Sequence, residues 1–354
     1  MLESAVAFLI AAAVTIAATP AVRMLATRLD FVDHPGDRKR HHCATPLMGG
    51  LGIYLAFSLA VLAGVLFWPG LAQGHHSDTP LQLVPLSVMM IGGGLVMVIV
   101  GLLDDRFELR PRTKLVLHTA AALLAGLYFV WRGAQVTLFL NAVPWLAGVV
   151  TLLWLVGITN SLNLLDHADG LAAGAGGIAS LFFMIINLLN GNEAVAFICA
   201  ALAGASFGFL VFNFSPASVF MGDAGSNFIG FTLGVIAVLG VYTPQGSIRE
   251  LAVLSPILIL AVPILDTILV AEYRLRRGAP LFAGDRNHLA HRLMRIGFSA
   301  REAVGVLYSL GILLGLLALL LPTLHSYQAV LVMANALGVS IIVALFIRNG
   351  ERKS

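Results

Sequence analysis

Eleven apolar runs govern what this chain can become: about 4–22, 47–68, 82–103, 115–131, 137–159, 171–190, 194–213, 228–242, 251–272, 303–322 and 327–347. A run of roughly 17 to 25 apolar residues matches the hydrocarbon thickness of a bilayer. Lipid has no partners for backbone N–H and C=O groups, so each run must satisfy its own backbone as a helix. The expected fold is all-α: a polytopic integral membrane helical bundle of about eleven transmembrane helices, one domain over residues 1–354. Composition agrees, since only 11% of residues are charged, against about 25% in a soluble domain.

An odd number of crossings divides the connecting segments into two sets, and Lys and Arg collect on the cytoplasmic side of membrane proteins. The segments 23–46, 104–114, 160–170, 214–227, 273–302 and 348–354 hold nineteen of the 21 basic residues, and the opposite set holds only Arg132 and Arg249. The first set is therefore expected to be cytoplasmic, with the N-terminus outside and the C-terminus inside. No basic residue precedes the first run, which is unlike a cleavable secretory signal. Cys43 and Cys199 fit neither a disulfide framework nor a thiolate metal site.

Four polar groups then fall in the cytoplasmic set. The third run ends in "GLLDDR", with Asp104 and Asp105 adjacent; taken alone, such a pair is as readily a surface cap as a site. The fifth run leads into "TNSLNLLDHADGLAAG", which sets Asn160, Asn163, Asp166 and Asp169 at three-residue steps. That spacing puts neighbours on one helical face or one turn. Next comes "FMGDAGS", where small residues around Asp223 let backbone approach a ligand and a helix N-terminus follows. The last is "GDRNHLAHRLMRIGFSAREA", with Asp285, Arg286, His288, His291, Arg292 and Arg295. Helix capping explains one or two of these residues and topology signals explain some arginines, but neither explains four such groups on one side.

Clustered oxygen ligands without thiolates suit Mg²⁺, or Mn²⁺, rather than zinc. Arginine and histidine donors beside them make a site for phosphate esters. A site of this kind at the lipid–water boundary points to phosphoryl transfer between a soluble phosphorylated substrate and a lipid-borne phosphate. A transporter would instead place charges at mid-membrane depth and break helices in paired halves. A basic lipid-binding scaffold leaves the Asn, Asp and Gly turns unexplained. Asp266 lies inside the ninth run, where an ionisable residue marks function by default; within about two turns of the cytoplasmic end, it is placed to support the site. His75, His76 and Asp78, in an external segment, are weak metal candidates.

In order, "DHPGDRKRHHCATPLMGG", "GLLDD", "NSLNLLDHADGLAAG", "FMGDAGS" and "DRNHLAHRLMRIGFS" resemble the polyprenyl-phosphate N-acetylhexosamine-1-phosphate transferases, glycosyltransferase family 4. That family includes enzymes that start O-antigen and teichoic acid synthesis and the phospho-N-acetylmuramoyl-pentapeptide translocase. The last motif is similar to the N-acetylglucosamine-1-phosphate branch. Two positions depart from the pattern: Ala290 stands where it has a histidine, and His167 where it has glycine.

The resemblance implies a bacterial enzyme of the cytoplasmic membrane, with its active site on the cytoplasmic face, that moves sugar-1-phosphate from a UDP-sugar to polyprenyl (undecaprenyl) phosphate and releases UMP. UDP-N-acetylglucosamine is the expected donor, with another N-acetylhexosamine, a deoxy-sugar or UDP-N-acetylmuramoyl-pentapeptide as alternatives. It further implies Asp223 as metal ligand with Asn163 as its partner, and Asp104 and Asp105 as catalytic residues near the lipid phosphate. Asp166 and Asp169 line the nucleotide side, while His288, His291, Arg286 and Arg292 hold diphosphate and sugar. Lys39 and Arg38 are further phosphate contacts. Membrane lipids are expected partners, nucleic acid is not, and homodimerisation stays open.

Overall fold

A computed structural model describes residues 1–33, 44–73, 82–131, 144–242, 250–280 and 287–350. In chain order the helices are α1 Leu2–Arg28, α2 Gly49–Phe67, α3 Pro69–Gln73, α4 Leu83–Phe107, α5 Pro111–Trp131, α6 Pro144–Leu165 and α7 Leu171–Leu189. They continue with α8 Glu193–Asn213, α9 Gly222–Leu239, α10 Ser255–Ile259, α11 Ala261–Arg276, α12 Leu289–Arg295, α13 Ala300–Leu320 and α14 Ser326–Gly350. Each of the eleven apolar runs is largely helical among the described residues. Among the described residues, nine helices are long and apolar enough to cross a membrane, or ten if the bent pair Leu251–Ile259 and Ala261–Arg276 forms one span. The chain is a polytopic helical membrane protein.

One small departure from an all-helical chain positions the site. Val32–Asp33 (β1) and Thr45–Pro46 (β2) pair antiparallel, and the segment after β2 continues the pairing with the residues before α9. Phe220 donates its N–H to Pro46 O at 2.8 Å, and Gly49 and Gly50 donate theirs to Phe220 O and Met221 O at 3.0 and 2.8 Å. The "PLMGG" stretch thus pins the entry to α9.

Burial separates the helices into a centre and a rim. Every residue of α9 is buried except Asp223; a helix that is apolar all round belongs in the middle of a bundle. By contrast, only Ala329, Ala336 and Ile347 are buried in α14, and its other side chains are half-buried or exposed, as on a helix at the rim of the bundle. The bend between α10 and α11, 73°, falls between Pro256 and Pro263. Pro263 has no N–H to close the bond to the residue 259 carbonyl, the usual cause of a sharp kink.

The close approach of α4 to α9 depends on glycine. A Cβ at Gly101 would lie 2.2 Å from the Ala224 backbone N, so no other residue fits there. Asp105 sits four residues on, along the same face of α4, and is therefore delivered to the start of α9. Gly222, at φ +68°, opens α9 in the left-handed region where a side chain is strained; a Cβ there would also meet Asp105 Oδ2 and Leu47 O, both at 2.5 Å.

Candidate active site

The ends of α4 and α6 and the starts of α5 and α9 converge on one charged knot. Lys114 Nζ contacts Asp104 Oδ2 at 2.7 Å and Asp223 Oδ2 at 2.5 Å. It also donates to Asn163 Oδ1 at 2.8 Å. Asn163 turns its Nδ2 to Asp223 Oδ1 (2.7 Å) and Ser226 Oγ (3.0 Å). Sequence reasoning missed Lys114, one basic residue among many on that side. Its signal was a position in "RPRTK", eight residues after the "DDR" end.

The adjacent aspartates have different partners. Asp104 Oδ1 accepts the Leu109 N–H at 2.8 Å while Oδ2 meets Lys114, so this carboxylate fixes the turn into α5 and orients the ammonium. Asp105 accepts the backbone N–H of Asp223 at 2.9 Å and that of Ala224 at 3.5 Å. A helix N-terminus carries orphan N–H donors and partial positive charge. The anion bound at the start of α9 is thus Asp105 itself, and its effect is to set the position of Asp223. The Asp223 side chain is 30% exposed against 10% for Asp104, so Asp223 is the more open of the two carboxylates.

The segment joining α6 to α7 lines the other wall. Asp169 Oδ2 accepts from Ala217 N at 3.0 Å, tying this segment to the one entering α9. Gly170, at φ +79°, starts α7; its N–H goes to Asn213 Oδ1 and its carbonyl accepts from the Tyr308 hydroxyl at 2.6 Å. Asp169 therefore shapes the wall, whereas the half-buried Asp166 carboxyl receives no hydrogen bond from the described residues. Burial, then the charges of Asp223 and Asp169, push Asp166 up to about 8.

Beyond Asp166 lies a group of imidazoles. His167 Nδ1 is 3.0 Å from Leu164 O, and its ring stacks on His288, with centroids 4.3 Å apart, and tilts against His291 at 4.8 Å. Buried Asp266 receives His288 Nδ1 at 2.7 Å and the Leu289 N–H at 2.6 Å. The residue inside the ninth run thus supports the site through a histidine. Arg292 is buried in α12. Arg38, Lys39, Cys43, His75, His76, Asp78 and Arg286 lie outside the described residues.

Two places have ligand atoms for a cation. Around Lys114, the carboxyls of Asp104 and Asp223 share one ammonium with the Asn163 oxygen adjacent, Asp105 lies against the backbone of Asp223, and the charge of Asp223 also acts on Asp166; surplus negative charge on hard oxygens is the donor set that Mg²⁺ or Mn²⁺ takes. The raised Asp166 registers the same surplus. The ligand atoms of His167, Asp266 and His288 also lie within 4.8 Å of one another. There, both Asp266 oxygens are already engaged, and stacked rings direct their lone pairs side by side rather than to one point. The oxygen cluster has the donor chemistry that a hard cation prefers.

Residues 87–241 match glycosyl transferase family 4. The chain is 33% identical to the probable undecaprenyl-phosphate N-acetylglucosaminyl 1-phosphate transferase of Bacillus subtilis, over 91% of this chain and 86% of that protein. It is 36% identical to the decaprenyl-phosphate N-acetylglucosaminephosphotransferase of Mycolicibacterium smegmatis, over 97% and 88%. To the undecaprenyl-phosphate alpha-N-acetylglucosaminyl 1-phosphate transferase of Escherichia coli O157:H7 it is 29% identical, over 79% and 74%.

Proposed function

This chain belongs to glycosyl transferase family 4, among the polyprenyl-phosphate N-acetylglucosamine-1-phosphate transferases, and on that footing we propose that it transfers N-acetylglucosamine-1-phosphate from UDP-N-acetylglucosamine to a polyprenyl phosphate. A lipid phosphate oxygen bonds to the sugar-linked phosphorus, the bond from that phosphorus to the bridging oxygen breaks, and UMP leaves with the electron pair. The observation that carries the reading is the knot of Lys114, Asp104, Asp223 and Asn163.

The lipid phosphate is itself the nucleophile and, with a second pKa near roughly 6, needs no strong base. The obstacle is repulsion between two anions. Asp223, with Asp104, Asp166 and the Asn163 oxygen, would hold a divalent cation, which when bound offsets charge on the diphosphate. Lys114, held by the carboxylates of Asp104 and Asp223, offers a second positive charge at the same place. Asp105 keeps the first turn of α9, and so Asp223, in register with α4. His288, oriented through Nδ1 by Asp266, keeps Nε2 for a phosphate or sugar oxygen, and Arg292 and Arg286 supply further donors.

The distribution of basic residues supports eleven crossings of a bacterial cytoplasmic membrane with this site on the cytoplasmic face. The reading is tested by UMP release from UDP-N-acetylglucosamine by the purified protein in detergent. Release is expected only when polyprenyl phosphate and Mg²⁺ are both present. Equal release without the lipid, or none with both, contradicts it.

A further inference from the structure

His167 carries a ring nitrogen that the reaction described above does not use. Its Nδ1 lies 3.0 Å from a carbonyl oxygen, Leu164 O, which can only accept, so Nδ1 bears the hydrogen. With Nδ1 so engaged, Nε2 of the neutral ring is a bare acceptor. Nε2 is buried and has no hydrogen-bond partner among the described residues. A buried acceptor left without a donor is costly, and native proteins rarely leave one so.

The surroundings indicate what supplies the donor. His167 follows Asp166 directly and stands four residues beyond Asn163, both on the wall of the oxygen cluster. Its face lies on His288, and its edge is near His291. His288 gives Nδ1–H to Asp266, and the Nε2 acceptor of His167 lies one ring away. A phosphate oxygen has no hydrogen for a neutral acceptor, so phosphate is not its partner. The non-phosphate donors of a sugar nucleotide are the acetamido N–H and hydroxyls of the sugar and the imide N–H of uracil.

We infer that His167 is a recognition residue of the sugar-nucleotide site, its Nε2 accepting a hydrogen bond from a sugar or uracil donor. The inference rests on the transferase reading above. Nε2 is buried although His167 as a whole is half-buried, so the donor reaches it through a small movement of the rings stacked against it. Binding of the sugar nucleotide is in this way coupled to the placement of His288 and α12. The two departures from the family pattern acquire a common setting: Ala290 is buried between the two loop histidines in sequence, and the added imidazole at 167 lies against both of those histidines.

The test compares wild type, His167→Phe and His167→Gln in detergent, measuring KM for UDP-N-acetylglucosamine and for polyprenyl phosphate separately, with kcat and the thermal midpoint. Phe keeps an aromatic face for the stack and removes the acceptor, while Gln restores an acceptor. The Phe variant is expected to raise KM for UDP-N-acetylglucosamine about three- to tenfold, the worth of one net hydrogen bond. Its KM for the lipid and its thermal midpoint should stay at wild-type values. Gln should recover most of the loss. Inhibition by UMP then locates the donor: weaker inhibition of the Phe variant assigns it to uracil, and unchanged inhibition assigns it to the sugar. An unchanged KM for UDP-N-acetylglucosamine in the Phe variant, an equal rise for both substrates, or a fall in kcat alone overturns the inference. A wild-type protein that releases no UMP overturns the transferase reading itself, so the two failures are distinct.

Discussion

The two halves of the site are built on opposite terms. In the knot on Lys114 the central groups are matched within the protein: the ammonium has three oxygen partners, Asn163 uses both ends of its amide, and Asp105 meets two backbone N–H groups. Around His167 the neighbours meet ring on ring, and its Nε2 has no hydrogen-bond partner among the described residues. A matched network is rigid before a ligand arrives, which suits the stabilisation of charge on phosphates, because preorganised dipoles cost no reorganisation during reaction. An unmatched atom suits discrimination, because a substrate without the complementary donor leaves it unpaired. The comparison assigns chemistry to the oxygen end and recognition to the imidazole end.

Asp223→Asn breaks the oxygen end and should have the largest effect. It removes an anionic oxygen more open than that of Asp104, and kcat is expected to fall about 10²–10³-fold, the typical cost of one preorganised electrostatic group. The Mg²⁺ titration should move to higher concentration in the same variant. A titration that superimposes on wild type removes Asp223 from the cation site.

Asp105→Asn should act more moderately and by another route. The amide oxygen still accepts one N–H of α9, but its NH₂ group now faces a donor, and the charge at the helix N-terminus is lost. Such a charge is worth about 0.3–1 kcal/mol, up to about 2 when partly buried. The thermal midpoint should fall, and kcat should fall by about tenfold as Asp223 shifts. Full activity with a lowered midpoint would make Asp105 purely structural.

What was readable beforehand follows from which forces are local. The polytopic helical bundle was readable because lipid leaves the backbone no alternative. The Asp and Asn groups were readable because carboxylates are conspicuous in so apolar a chain. Lys114 was hidden among nineteen basic residues that orientation alone explains. The start of α9 was placed near 228, since "GDAGS" reads as a turn, yet the helix begins at Gly222. Only tertiary contacts, the carboxylate of Asp105 and the pinning by Pro46, Gly49 and Gly50, make that first turn helical. The bend at Leu260 was marked by Pro256 and Pro263, but continuous hydrophobicity concealed it.

A smaller effect separates the two ends by pH. Asp166, raised to about 8, holds a proton at neutral pH that a divalent cation must displace, and such competition weakens as pH rises. The Mg²⁺ concentration for half-maximal rate should therefore fall between pH 6 and 8, by at most about tenfold per unit for one proton released. Asp166→Asn should flatten that dependence. His167, held at about 4, stays neutral over the same range, so the difference in KM between wild type and His167→Phe should not change with pH. A difference that does vary between pH 6 and 8 would erase the contrast drawn between the two ends.

The central claim is that phosphorus travels with the sugar. UDP-N-acetylglucosamine labelled both in the sugar and at the sugar-linked phosphorus, incubated with the protein, polyprenyl phosphate and Mg²⁺, decides it in one extraction. Both labels should enter the lipid fraction in equal amounts, with one UMP released for each lipid formed. Sugar label in the lipid without the phosphorus label, accompanied by UDP, would contradict the account.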